Sequence, residues 1–269
     1  MRAPDATRLI GAGPHLLPWR RPAATQIVGC PLPHLGLGDR LLLRTLAMYA
    51  ARHVVAIDGL QHIRPAQDPF ILAANHSTRR ESLLVPAMLL LHRGGSRVHF
   101  LADWNFRLIP GVALLYARAQ VITVTRKSAK PRLLNMLKRL YQHPQSTLER
   151  ARAHLAAGRA VGIFPEGEVN RHPTRLLRGR RGAARLSLET GVPVVPMGIR
   201  FPGRAPGRTF VMRSAMELQI GAPLLPPGPI QQQASLSQVS AWHGVIMSEI
   251  ARLSGKAWPG AGKAMDHDG

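Results

Sequence analysis

The chain has 269 residues, 45% of them hydrophobic and 19% charged, which is enough apolar material for a sizeable core and too much for a disordered segment. Its 36 Lys and Arg face only 14 Asp and Glu, so a formal net charge of +22 directs attention to polyanionic partners: nucleic acid, anionic lipid surfaces or phosphorylated substrates. One cysteine, Cys30, excludes an intrachain disulfide, and no apolar run approaches the roughly eighteen residues of a membrane-spanning helix.

Residues 1–38 are rich in Pro, Gly and Arg without a sustained period and read as an arm or loop. Asp5 precedes any apolar run and no signal-peptide pattern follows, so the chain is expected to be soluble or peripherally bound. From Asp39 the pattern changes. Asp39 is placed to cap a helix over 39–53 that carries Leu41, Leu42, Leu46, Met48 and Tyr49, with Arg40, Arg44 and Arg52 among them. Such a basic amphipathic helix either lies on an anionic membrane or packs on its own domain.

Short apolar runs then predict buried strands over 54–57, 70–74, 98–101, 121–124, 160–164 and 192–199, with a last short strand at 217–220. Helices are predicted over 81–92, 132–142, 148–157 and 180–190, and a terminal helix over 237–253 precedes a Gly-rich tail. Strands alternating with helices predict an α/β fold, a single domain with a mostly parallel central sheet flanked by helices. With no repeat and no linker, the expected organisation is an arm (1–38), a main domain (39–224) and a C-terminal helix with a flexible tail (225–269).

Missing motifs narrow the chemistry. There is no G-x-S-x-G elbow, no G-x-x-x-x-G-K-[ST] loop, no H-E-x-x-H and no C-x-x-C pair, and Gly11-Ala-Gly13 lacks a third glycine and a preceding strand. Covalent serine hydrolysis, nucleotide hydrolysis and the commonest zinc sites are disfavoured, and no metal is expected.

Two constellations remain. In Ala73-Ala-Asn-His-Ser-Thr-Arg-Arg-Glu81 a buried strand runs into Asn75-His76, and a helix begins near Glu81. The carboxyl edge of a parallel sheet is where such folds bind ligands. If the turn folds back, Glu81 accepts the His76 Nδ1–H and leaves Nε2 free to take a proton from a substrate hydroxyl. In Val161-Gly-Ile-Phe-Pro-Glu-Gly-Glu168, followed by Val-Asn-Arg171, a second strand ends in a Pro-Glu-Gly turn. Gly167 there allows close backbone approach to a ligand, and Arg171 suits bidentate capture of a phosphate. Each constellation alone also describes an ordinary surface histidine or an ordinary turn.

Together and in this order they resemble the glycerophospholipid acyltransferase family, which includes the 1-acylglycerol-3-phosphate acyltransferases. That family shows N-H-x-x-x-x-D, a later motif ending in Arg, F-P-E-G-T-R-S and V-P-[IV]-V-P. This chain has Asn75-His76 with Glu81, Val124-Thr125-Arg126, Phe164-Pro-Glu-Gly167 and Val192-Pro-Val-Val-Pro196. The resemblance runs over 54–224. It implies an O-acyltransferase of phospholipid biosynthesis, in which His76, oriented by Glu81, deprotonates the acceptor hydroxyl. The alkoxide then attacks a fatty acyl thioester of coenzyme A or acyl carrier protein, with no acyl-enzyme and no cofactor beyond that co-substrate. It also implies that Asn75, Arg126, Phe164, Pro165, Glu166, Gly167 and Arg171 bind substrate, Arg126 and the F-P-E-G turn taking the acceptor's phosphate and glycerol.

The departures bear on the acceptor. Glu81 replaces the family's Asp, Glu168 its Thr, Val169 its first Arg, and Gln120 the glycine that opens the Arg126 motif. A carboxylate beside an acceptor phosphate is repelled unless Glu168 pairs with Arg171 or another arginine, or unless the acceptor is less anionic. The expected partners are an anionic membrane surface, with the protein peripheral on its cytoplasmic face, an acyl thioester donor and a lysoglycerolipid acceptor. That acceptor is 1-acylglycerol-3-phosphate or, as an alternative, an amine-bearing lysolipid or lyso-ornithine lipid. The rival is a non-catalytic lipid- or nucleic-acid-binding protein. Aromatics are only 5% of the chain and none interleave with arginine as stacking platforms do, so no specific nucleic acid is expected.

Overall fold

The apolar runs separate into strands because each is too short for a helix, and those at 54–58 and 194–200 are also rich in β-branched residues. The computed structural model describes residues 19–20, 24–126, 128–129, 132–202, 214–230 and 233–260. In it β1 (Trp19–Arg20), β2 (Val54–Asp58), β3 (Ile71–Ala74), β4 (Val98–Asp103), β5 (Ile122–Val124), β6 (Ala160–Ile163), β7 (Val194–Arg200) and β8 (Met216–Ile220) form one sheet in the order β1-β2-β8-β7-β3-β6-β4-β5. The five strands from β7 to β5 all run parallel. β8 pairs antiparallel with β7, β2 runs with β8, and β1 turns back along β2. This is the mostly parallel α/β sheet that the sequence predicts.

Alternation along the strands assigns two cores. Phe70, Leu72 and Ala74 join Val195, Met197 and Ile199 on one face, whereas Ile71 and Ala73 join Val161, Ile163 and Val194 on the other. The first face is covered by α1 (Ala24–Gly29), α2 (Leu37–Ala50) and α3 (Glu81–His92), the second by α5 (Thr147–Ala156), α6 (Gly182–Thr190) and α7 (Leu236–Ser254). Helices on both faces are what a parallel sheet with two apolar sides requires. α5 and α7 start at reciprocal capping boxes, Ser146 with Glu149 and Ser235 with Gln238.

Several expectations need correction. Gly36, not Asp39, is the N-cap of α2. Asp39 sits in the first turn and forms an ion pair with Arg118, the last residue of α4 (Pro110–Arg118), a short helix opened by its own proline. α2 packs on its own domain through Leu43, Ala47 and Ala50, while Leu37 and Leu41 stay exposed. Much of the supposed arm is core, with Ile27, Leu32 and Leu35 buried; residues 1–18 lie outside the described residues. The helix expected at 132–142 is wound as a 3-10 helix over Arg132–Tyr141, and none of its residues is buried to hold it in α geometry. The start of the supposed tail is also structured, with Lys256 buried and Trp258 packed against the second core; residues 261–269 lie outside the described residues.

Burial lowers the pKa of His92, at the end of α3, to about 4 from its ordinary 6.5. Between those values the unfolded chain binds a proton that the fold refuses, so stability falls as pH drops through that window and is complete above it. The Tm is expected to fall between about pH 7.5 and about pH 5, and His92→Gln to shrink that fall. Calorimetric scans at the two pH values measure both.

Candidate active site

β3 and β6 are parallel neighbours with Ala73 opposite Ile163, so the residues three beyond each, His76 and Glu166, leave the sheet side by side. The His76 N–H donates to Glu166 Oε1 at 2.9 Å, tying the two strand ends together. After His76 the chain coils into the first turn of α3, where Glu81 is fully buried. Glu81 Oε2 lies 2.8 Å from His76 Nδ1 and accepts from the Ser77 N–H at 2.7 Å, while Oε1 accepts from the Thr78 N–H at 2.9 Å. The extra methylene of Glu over Asp is accommodated within this coil. Burial pushes the Glu81 carboxyl up in pKa, opposed by His76 and the two backbone donors. With Nδ1 engaged by the carboxylate, the ring carries its proton on Nδ1 and presents Nε2 as the acceptor.

The ring is also held face-on. Phe164 stacks on His76 with centroids 4.5 Å apart and an interplanar angle of 25°, and Phe100 stacks on Phe164 at 5.6 Å. Phe100 reaches this position because it lies across Gly162, where an added Cβ would approach its ring to 2.6 Å. Gly167 adopts φ 71°, and its α-carbon faces the Arg180 side chain closely enough that any Cβ would collide with it.

These elements open onto a cavity of about 1490 Å³, larger than the ~300–1,000 Å³ usual for small-molecule pockets. Its wall includes His76, Phe164, Pro165, Gly167, Arg126 and Arg171. Among the described residues, eight arginines line it against three acids, Asp39, Asp103 and Glu168. Apolar side chains of α2, α3, α4 and β4 line much of the rest. An apolar cleft with a cationic wall and one oriented histidine suits an amphiphile with an anionic head and offers a candidate general base.

Two predicted binding residues stand elsewhere. Asn75 is fully buried and clasps β7: its Nδ2 donates to the Ile199 carbonyl at 3.1 Å and its Oδ1 accepts the Ile199 N–H at 2.6 Å. Glu166, also buried, accepts from Asn170 Nδ2 at 2.6 Å and the Leu177 N–H at 2.9 Å through Oε2. Neither lines the cavity; a polar group sunk this deeply is consumed by the partners that make its burial tolerable. Glu168 is exposed on the cavity wall and forms no ion pair with Arg171 or any other described residue.

The acyltransferase family model matches residues 54–200, more than half of the chain. The chain belongs to this family. The match bears out the resemblance drawn from the four ordered motifs. No curated protein matches the chain. Among solved structures, the crystal structure of the 1-acyl-sn-glycerophosphate (LPA) acyltransferase PlsC from Thermotoga maritima is similar, with a TM-score of 0.53 and 20% identity. The likeness covers 84% of this chain and 86% of that one, and speaks for a shared fold.

Sequence reasoning missed the groups that brace the site. Asn170 connects the two turns, its N–H donating to the His76 carbonyl at 2.7 Å while its side chain holds Glu166. Lys256, beyond α7, is buried and reaches back to donate to Ser77 Oγ at 2.8 Å and the His172 carbonyl at 3.0 Å. A lone Asn and a lysine in a Gly-rich stretch carry no local signal; only the folded topology brings them here. Lys256→Met should remove both bonds and destabilise the fold by about 1–3 kcal/mol, read as a lower denaturant midpoint at unchanged slope. An unchanged midpoint would mean the turn holds without it.

Proposed function

We propose that the protein transfers a fatty acyl group from a thioester of coenzyme A or acyl carrier protein to the hydroxyl of a lysoglycerolipid such as 1-acylglycerol-3-phosphate, acting peripherally on the cytoplasmic face of an anionic membrane in phospholipid biosynthesis. The observation that carries this reading is the 2.8 Å contact of His76 Nδ1 with buried Glu81 on the wall of a large arginine-lined apolar cavity. His76 Nε2 takes the proton of the acceptor hydroxyl as its oxygen attacks the thioester carbonyl. The imidazolium formed is stabilised by the Glu81 carboxylate. Collapse of the tetrahedral intermediate breaks the carbon–sulfur bond, and the departing thiolate takes that proton from His76. Nothing is covalently attached to the protein at any stage. Arg126 and Arg171, exposed on the cavity wall, are the proposed anchors for the acceptor's phosphate. No helix among the described residues is long and apolar enough to cross a membrane.

His76→Ala should lower kcat by at least about 100-fold while leaving the thermal midpoint close to the wild type. Glu81→Asp should retain substantial turnover and Glu81→Gln lose most of it, because only the carboxylate offsets the imidazolium charge. Purified variants assayed with both donors against a lysolipid panel provide the measurement. Wild-type turnover in His76→Ala would remove the general-base role.

Glu168 favours a second class of acceptor. Of the three acids on the cavity wall, Asp39 is held by Arg118 and Asp103 by the Asn105 N–H, whereas Glu168 has no partner among the described residues. A cationic acceptor group, as in an amine-bearing lysolipid or lyso-ornithine lipid, would supply one. Glu168→Thr should then shift the ratio of kcat/KM values toward lysophosphatidate by several-fold, on the order of 1 kcal/mol for a partly exposed charge. An unchanged ratio would leave lysophosphatidate as the favoured acceptor.

A further inference from the structure

The cavity is large and its lining mostly apolar, yet a lysolipid lives in a bilayer and must leave it to reach His76. Some part of the protein surface has to meet the lipid beside the cavity mouth. Resting on the reading of a lipid acceptor, we propose that the stretch Arg132–Tyr141 is the element that seats this mouth on an anionic phospholipid bilayer.

Three of its side chains are far more exposed than a folded protein needs. Leu133, Met136 and Leu140 are 76%, 71% and 75% exposed. Single exposed apolar residues are common, but three large ones on one ten-residue stretch, with nothing described over them, form a patch. The stretch is tethered nonetheless. Tyr141 packs against Trp104 with ring centroids 5.8 Å apart and lies 5.9 Å from the Arg107 guanidinium. Asn135 accepts the Ala129 N–H at 2.8 Å and donates to the Arg132 carbonyl at 2.9 Å. Between the exposed residues, Leu134 lines the cavity itself. The stretch therefore borders the cavity at Leu134 and carries open apolar surface at Leu133, Met136 and Leu140.

Charge selects the occupant. The stretch contains no acid and carries Arg132, Lys138 and Arg139 around its apolar residues, on a chain of net charge +22. Basic residues flanking a short apolar face are the composition of elements that lie in a membrane interface. The same positive field opposes a second copy of this chain on that patch and attracts an anionic leaflet. α4, which packs on the turn carrying Trp104, exposes Leu114, and its N-cap Ile109 is exposed likewise, at 52% each.

The winding has the same implication. A ten-residue 3-10 helix exceeds the three or four residues over which that geometry is common. Three residues per turn stack Leu133 over Met136 and leave Leu140 aside, whereas α winding brings all three within about 60° of one another. A bilayer that accepts all three side chains favours the α form.

Full-length protein floated with mixed phosphatidylglycerol–phosphatidylcholine vesicles tests the surface, using wild type and the variant L133S/M136S/L140S, which keeps every charge. The variant should bind these vesicles at least about tenfold more weakly. Its turnover of a short-chain lysolipid presented as a soluble monomer should match the wild type. K138Q/R139Q should weaken binding to the phosphatidylglycerol-containing vesicles several-fold and leave binding to pure phosphatidylcholine vesicles unchanged. Equal flotation of wild type and the apolar variant overturns the proposal, as does wild-type protein that self-associates through these residues and becomes monomeric only in the variant. Wild type that floats as expected but acylates no acceptor with either donor would refute acyl transfer and leave the docking surface standing.

Discussion

Two carboxylates sunk at the carboxyl edge of a parallel sheet constrain everything around the site. An ionised group out of water is tolerated only where donors surround it, so the turns after β3 and β6 must coil to supply them. Glu81 takes the ring of His76 and the N–H groups of Ser77 and Thr78, and Glu166 takes the backbone of His76 with Asn170 and Leu177. His76 is consequently gripped twice, its imidazole by one carboxylate and its main chain by the other. Its orientation follows from satisfying buried charge, and it is set before any substrate arrives.

The rest of the cavity complements that rigid centre. The Phe164 and Phe100 rings fix the plane of the imidazole from one side. The eight arginines distributed over the wall give the space a positive field that the three acids only partly offset. Under the proposed function, such a cleft suits a counter-ionic headgroup on its arginines and an acyl chain along the apolar faces of α2, α3 and α4. On that reading, proton transfer and recognition depend on different atoms within one cavity.

Much of this is legible in the sequence where a physical rule is local. The α3 boundaries, Glu81 to His92, emerge from the apolar stretch around Pro86 behind the acidic first turn, and the Nδ1 contact of His76 with Glu81 is the one expected if the turn after the strand folds back. What escapes is long-range. Asn75 and Glu166 sit inside motifs that suggest contact with substrate, yet the sheet register turns them inward, and only the pairing of Ala73 with Ile163 reveals it. Lys256 is some 180 residues from Ser77 in sequence. Nothing in its neighbours marks it, because its partner is chosen by the packing of α7 on β7. Asp39 misleads for the opposite reason: it has the composition of a cap, but Arg118 across the fold is the stronger partner.

Along the turn after β6, burial alternates with exposure: Glu166 and Asn170 are inside, Glu168 and Arg171 outside. The inner pair carries the architecture and the outer pair faces whatever enters. Substitutions at the outer positions therefore leave the bracing of His76 intact. Under the proposed function, the surface that meets the acceptor's headgroup can therefore be altered at positions 168 and 171 without loosening the general base.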